Sequence, residues 1–301
     1  MASRIDEVEL VIRGRKAISN ITLLDDIWAK VFFPVFNTIA HECYYKEHGP
    51  GGLMPLFSGY HGRYAETPDG RVRSVILITH NLRFGSSEKQ REPGDVCLIT
   101  VYTPSSPTSR HRIVFLNAFQ IKVSNRSLQD ALKKVFAGNG WKQYTFYREE
   151  LLKYVNARAK GLFTNLTSDF IFYWLIYARK CWSGNHNMLV EIPVSALFES
   201  KDYRGLLLQL RGGLQLGRHV MSLGYDIMCR SLFAINGINV EAILHLAKGK
   251  FYNLLNRILE EGVPGLLASF KAGSNPSSKN EKGELEEQRP ILLIITEILT
   301  E

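Results

Sequence analysis

The sequence has few of the motifs that identify a function directly. Its 301 residues include only four cysteines, at 43, 97, 181 and 229, and these are more than 45 residues apart. None forms a C-x-x-C pair, so neither a structural zinc site nor a disulfide framework is expected. We therefore predict no metal site and no cofactor.

Long apolar segments are also lacking. The longest apolar run, at 170–178, has nine residues, about half of what a membrane-spanning helix needs. The opening segment MASRIDEVELVIRGRK carries acidic residues before its first apolar run and has no hydrophobic signal core. We expect an intracellular protein of the cytoplasm or nucleus that is neither secreted nor transmembrane.

Nucleotide-binding and catalytic motifs are missing as well. The glycine-rich stretch RGGLQLGR at 211–218 fits neither G-x-G-x-x-G nor the P-loop pattern. A turn at 211–213 would pair leucines with leucines, which favours a β-hairpin near 206–218, although two helices broken at the glycines remain an alternative. In HECYYKEH, at 41–48, the two histidines are two helical turns apart, too far for the H-E-x-x-H zinc geometry.

Hydrophobic residues make up 45% of the chain and charged residues 22%, which is typical of a globular protein. The pattern at 20–48 is helical. Residues 72–79, 96–102 and 113–123 are rich in β-branched and aromatic residues and are separated by turn formers, which predicts an antiparallel meander.

The second half of the sequence looks mainly helical. Ser127 and Asp130 have the spacing of a capping box and open a helix that GNG at 138–140 would close. Further helices are predicted at 147–160, at 168–182 and from a cap at Asn239 to about residue 261, with a strand at 188–198.

These patterns predict an α+β fold that is mainly helical. A small antiparallel sheet would lie in the first half, and the C-terminal half would be helical. The predicted divisions are 1–125 (helices and sheet), 126–271 (a mainly helical domain with the hairpin), 272–289 (a polar, flexible linker) and 290–301 (an apolar C-terminal arm).

The net charge of +8 is concentrated in one segment. Residues 101–160 hold eleven basic and three acidic side chains, interleaved with aromatic residues. Cations that follow a phosphate backbone, with aromatic rings on which bases stack, are typical of single-stranded nucleic-acid sites. The candidate binding residues are Arg110, Arg112, Lys122, Arg126, Lys133, Lys134, Trp141, Lys142, Tyr144, Arg148, Lys153, Arg158, Lys160, Arg211 and Arg218.

The apolar arm after the linker predicts assembly. Its apolar residues would become buried by docking either on a second copy, giving a homo-oligomer, or on the same chain. The residues proposed for this contact are Ile291, Leu292, Leu293, Ile294, Ile295, Ile298 and Leu299.

Three functional hypotheses follow. The first is a non-enzymatic protein that binds RNA or another single-stranded nucleic acid and self-assembles, by a design like that of nucleocapsid proteins. The second is a peripheral matrix-type shell protein that uses the same basic face on an anionic membrane. The third is an enzyme acting on an anionic substrate, with histidines 41, 80 and 219 as candidate acid/base groups. A purely structural role, with the aromatics in the core and the lysines solvated, is the alternative to all three.

Overall fold

The structure is a computed structural model, in which helix and strand are present in comparable amounts. It describes residues 12–13, 63–67, 69–79, 82–86, 89–105, 111–124, 126–151, 170–181, 184–198, 218–219, 223–234, 237–272 and 291–300. About 40% of these residues are helical and 44% are in strands. The prediction of a mainly helical fold is therefore wrong.

Twelve strands are present among the described residues. They are β1 (Arg63–Glu66), β2 (Val72–Thr79), β3 (Arg83–Gly85), β4 (Gln90–Arg91), β5 (Val96–Pro104), β6 (Ile113–Ser124), β7 (Ile171–Cys181), β8 (Gly184–Pro193), β9 (Arg218–His219), β10 (Ile238–Asn239), β11 (Ala247–Lys248) and β12 (Ile291–Thr300).

The helices of the described ranges lie between these strands. They are α1 (Leu128–Lys133), α2 (Gly138–Phe146), α3 (Val194–Phe198), α4 (Leu223–Phe233), α5 (Val240–Ile243) and α6 (Lys250–Ala272). A π-helical turn, Tyr147–Leu151, continues α2, and a 3-10 turn, Leu244–Leu246, continues α5. Within the described residues, no helix has the length and apolar character needed to cross a membrane.

Nine strands form one mixed sheet in the order β1-β2-β12-β5-β6-β7-β8-β9, with β10 paired to β6. Pairing is antiparallel except between β12 and β5 and between β6 and β7. The parallel β6–β7 pair requires a crossover, and α1 and α2 lie in the connection between these strands. A second sheet has the order β11-β3-β4.

Alternate residues of the long strands pack on opposite faces of the large sheet. One face, which we call the α2 face, carries Cys97, Ile99 and Val101 of β5 and is covered by residues of α1, α2, α3, α5 and α6. The other face carries Val96, Leu98 and Tyr102 and packs against residues of α4. The long strands are thus buried on both faces, which gives them nearly continuous apolar sequences.

This burial explains why the helix predicted at 168–182 is wrong. The segment forms β7, with Tyr173 and Leu175 on the α2 face and Phe172 and Trp174 on the other. A run that is apolar on all sides fits a doubly buried strand as well as a central helix, and its aromatic and β-branched residues favour the strand.

The segment predicted as an apolar C-terminal arm is a strand of the large sheet. Residues 291–300 form β12, a central strand antiparallel to β2 and parallel to β5. The three strands of the predicted meander are present, but β12 lies between β2 and β5, so only β5 and β6 are direct neighbours.

Several local predictions are confirmed and others are corrected. The Ser127 hydroxyl caps α1 by accepting a hydrogen bond from the Asp130 N–H, and the Asn239 side chain caps α5 through the Glu241 N–H. However, Gly138 begins α2 rather than only ending α1. The helix predicted from residue 239 is interrupted at β11 and resumes at Lys250. The predicted helix at 20–48, the hairpin turn at 211–213 and the linker lie outside the described residues.

The end of β12 is connected to α6 through the partly buried Arg112 and the buried Glu297. The Arg112 guanidinium donates to the carbonyls of Leu259 and Glu260, and its Nε lies 3.9 Å from Glu297 Oε1. Thr103 also donates to Glu297. Gly262, with φ +68°, bends α6 over this pair, and a Cβ there would overlap Glu297 Oε1. Glycine is required here for both its backbone conformation and its lack of a side chain.

We predict that Ile294→Ala lowers the free energy of unfolding by about 2–5 kcal/mol, because it leaves a cavity at the centre of the sheet. Ile294 is fully buried, with Ile76 and Leu98 as its neighbours on the flanking strands. Leu299→Ala, on the same strand, is the matched control and should cost less because Leu299 is only partly buried. Urea unfolding measures both, and equal losses would contradict a central position for β12.

Candidate nucleic-acid interface

A cleft of about 410 Å³ lies between α2 and the β3–β4 hairpin. Its volume is within the range of small-molecule sites, about 300–1,000 Å³. The lining residues come from the hairpin and from α2 with the π-helical turn that continues it; they are Lys89, Gln90, Arg91, Trp141, Lys142, Thr145, Phe146 and Glu149. Three of these side chains are cationic and one is anionic, so the lining carries an excess of positive charge.

Close backbone packing brings the hairpin against α2. Gly85 has φ +129°, and a Cβ at this position would overlap the Lys89 carbonyl and lie 2.8 Å from the Phe146 ring. Only glycine therefore allows the hairpin to turn this tightly against α2. The adjacent Phe84 is fully buried and packs its ring 5.8 Å from that of Phe251 on α6.

Hydrogen bonds hold α2 in register with the chain that follows the hairpin. The Gln143 amide donates to the Glu92 carbonyl and to the Tyr147 hydroxyl, both at 2.7 Å. The Tyr147 hydroxyl donates in turn to the Pro93 carbonyl at 2.9 Å. Burial raises the pKa of Tyr147 well above its usual value, so the hydroxyl keeps the proton that it donates. The two walls of the cleft are thus rigidly connected.

Trp141 is the most unusual side chain of the cleft, because 48% of its surface is exposed. Its ring centroid lies 5.4 Å from that of Tyr144 and 6.5 Å from that of Phe136, so neighbouring aromatic rings support it. Tryptophan is usually largely buried, and leaving half of its ring in water forgoes part of its hydrophobic stabilisation. A supported ring that is open to solvent is well suited to stack on a planar ligand.

Thr145 lies in the wall of the cleft, but its hydroxyl does not face the open space. The oxygen is buried and makes no hydrogen bond among the residues that the structure describes. A buried polar group without a partner costs about 1–3 kcal/mol, so Thr145 lowers local stability and is not a ligand contact.

The predicted binding residues lie in several separate parts of the structure. Trp141 and Lys142 line the cleft, and Arg148 is exposed on the turn that continues α2. Arg126 and Lys133 are exposed at α1, and Lys122 is half-buried on β6. Arg110, Lys153, Arg158, Lys160 and Arg211 lie outside the described residues. Arg218 belongs to β9, which pairs with β8 at the far edge of the large sheet.

Several predicted residues make contacts within the fold. Arg112 holds α6 and β12 together, as described above. The Lys134 ammonium donates to the Val123 carbonyl at 2.6 Å, and Lys133 pairs with Asp130 at 3.2 Å. Tyr144 is buried, with its hydroxyl donating to the Leu197 carbonyl. Burial raises the Tyr144 pKa, and the nearby Arg148 charge only partly opposes this effect.

Of the eight lining residues, the sequence predicted only Trp141 and Lys142 as binding residues. Lys89, Gln90 and Arg91 lie in a segment whose turn-forming residues were interpreted only as a loop. The charged run EKQRE at 88–92 was the available sign. Glu149, in the turn that continues α2, also lines the cleft.

The structure offers little support for other kinds of site. Histidine, cysteine and acidic side chains form no cluster able to hold a metal ion in the described part of the chain. Histidines 41 and 80 lie outside that part, and residue 219 lies in β9. Comparison with protein-family models, with curated proteins and with solved structures found no match.

The two lysines of this region should respond differently to substitution. Lys134→Ala should lower the free energy of unfolding by about 1 kcal/mol, because it removes a hydrogen bond to the end of β6. Lys142→Ala should change it by less than about 0.5 kcal/mol, because Lys142 is exposed. Urea unfolding of both variants tests these two predictions. A larger loss of unfolding free energy in Lys142→Ala than in Lys134→Ala would contradict them.

Proposed function

We propose that the protein binds single-stranded nucleic acid, most favourably RNA, through the cleft between α2 and the β3–β4 hairpin. The observation that carries this proposal is the half-exposed Trp141 ring with Lys89, Arg91 and Lys142 around the same cleft. The ring would stack on one base, and the cations would contact the phosphates on either side. We propose a binding role without catalysis.

The need for an unpaired base follows from the cleft itself. A stacking partner for Trp141 must present a free planar face inside the space between two walls. Bases in a duplex have both faces covered by their neighbours, whereas a single strand can turn one base outward. Exposed cations elsewhere on the α1–α2 segment, at Arg126 and Arg148, would extend the contact along the backbone.

An anionic membrane is the competing ligand for a basic surface. A flat lipid surface is contacted best by protruding side chains, whereas the cations and the indole of this site line a concave cleft. The concave arrangement favours a strand that can enter it. Vesicles of mixed neutral and anionic lipids provide the test of this competing ligand.

Self-assembly through the C-terminal arm stays a prediction. Both edges of β12 are paired with strands of the same chain, so assembly by this route would require exchange of β12 between two copies. We keep strand exchange as the proposed route.

Trp141→Ala should weaken binding to a single-stranded oligoribonucleotide by about 5- to 150-fold, because base stacking on an aromatic ring contributes about 1–3 kcal/mol. Tyr252→Ala is the matched control, since Tyr252 is similarly exposed on α6 and does not line the cleft. Fluorescence anisotropy with a labelled oligonucleotide gives both affinities. Equal affinities for the two variants would contradict the proposal, as would tighter binding to anionic vesicles than to RNA.

Lys142→Ala should reduce the salt dependence of binding. Loss of one phosphate contact lowers the slope of log K against log salt by about 0.7 for a single strand. Lys250→Ala changes the net charge equally from an exposed position on α6 and serves as the control. An unchanged slope in Lys142→Ala, or equal changes in both variants, would remove Lys142 from the binding site.

A further inference from the structure

The cleft contains one acidic side chain, and a site built only for phosphates would not need it. Glu149 is exposed and lines the cleft together with Lys89, Arg91 and Lys142. A carboxylate repels phosphate, so it weakens general backbone binding. Its presence in a cleft that is also lined by an exposed tryptophan suggests a different partner, namely the edge of a base stacked on that ring.

A carboxylate distinguishes bases by the hydrogen-bond donors that they present. Guanine offers two adjacent N–H donors on its Watson–Crick edge, at N1 and at the exocyclic N2. Adenine and cytosine each offer one amino group, and uracil offers one ring N–H. Only guanine can therefore donate two parallel hydrogen bonds to one carboxylate, the bidentate geometry that gives the strongest pairs.

Gln90 of the cleft fits the same base. Its side chain, which is half-buried, has an amide N–H that can donate to a carbonyl such as guanine O6. Gln90, Glu149 and the Trp141 ring would together provide contacts for one face and the polar edge of a base.

We propose that the cleft selects guanine, with Glu149 accepting the N1 and N2 hydrogens of a base stacked on Trp141. This inference rests on the proposed function and specifies its ligand. The guanine can belong to an RNA strand or to a free guanine nucleotide, since both present the same edge.

The test compares labelled oligouridines of about eight nucleotides, with one central uridine replaced by guanosine, adenosine, cytidine or inosine. The guanosine oligonucleotide should bind about tenfold more tightly than the others, the discrimination typical of one bidentate contact. Inosine, which lacks the N2 amino group, should lose most of this advantage.

Glu149→Gln should reduce the guanosine preference to less than about twofold without weakening binding to the all-uridine strand, because the substitution removes both an acceptor and a repulsive charge. Glu241→Gln makes the same charge change at an exposed residue of α5 and should keep the preference. A purely structural role for Glu149 would not change binding in a base-dependent way.

The outcomes separate the inference from the function on which it rests. Binding that depends on Trp141 but shows no guanosine preference overturns guanine selection, and a preference that persists in Glu149→Gln overturns selection by Glu149; either result leaves the proposed function standing. No binding to any oligonucleotide overturns both.

Displacement of the guanosine strand by millimolar GMP but not AMP supports the site and identifies free nucleotide as a ligand. If neither GMP nor AMP displaces the guanosine strand, the preference belongs to guanine within a strand. Equal displacement by GMP and AMP overturns guanine selection.

Discussion

The placement of β12 between β2 and β5 is the constraint on which the rest of the fold depends. Without this strand, β1 and β2 would have no hydrogen-bonded connection to the other six strands of the large sheet, β5 to β10. Its apolar side chains contribute to the cores on both faces of the sheet. Arg112 and Glu297 then connect the end of the strand to the bend of α6 at Gly262. Removing Arg112 alone would leave the buried Glu297 carboxylate without its nearby cation, which destabilises this arrangement.

The fold places the cleft between two supported elements. Helix α2 lies in the crossover between the parallel strands β6 and β7. Its buried residues Tyr144 and Phe146, with Tyr147 of the turn that follows, pack on the α2 face. The hairpin β3–β4 belongs to the second sheet, which α6 supports through Phe84 and Phe251. A site held in this way can keep Trp141 exposed at little entropic cost, because its ring is already positioned before a ligand arrives.

The sequence predicted local features better than global ones. The Ser127 and Asn239 caps and the cores of β2, β5 and β6 could be identified because capping and strand patterns are local. The helical assignment of 168–182 failed because a strand buried on both faces has no alternation to reveal it. The position of β12 depended on pairing with strands about 200 residues earlier in the sequence, such as Leu292 with Val96, which local patterns do not specify. The charge excess at 101–160 identified Trp141 and Lys142. It could not separate them from Arg112 and Lys134, whose contacts within the fold appear only in three dimensions.

Photocrosslinking is the most direct test of the claim that the α2–hairpin cleft holds the nucleic acid. A single-stranded RNA carrying 4-thiouridine would be irradiated in complex with the full chain, and the crosslinked peptides would be identified by mass spectrometry. The account predicts crosslinks in the peptides that contain residues 89–91 and 141–149, with loss of these crosslinks in Trp141→Ala. Crosslinks confined to other segments, such as α6 or the far edge of the sheet at β9, would contradict it.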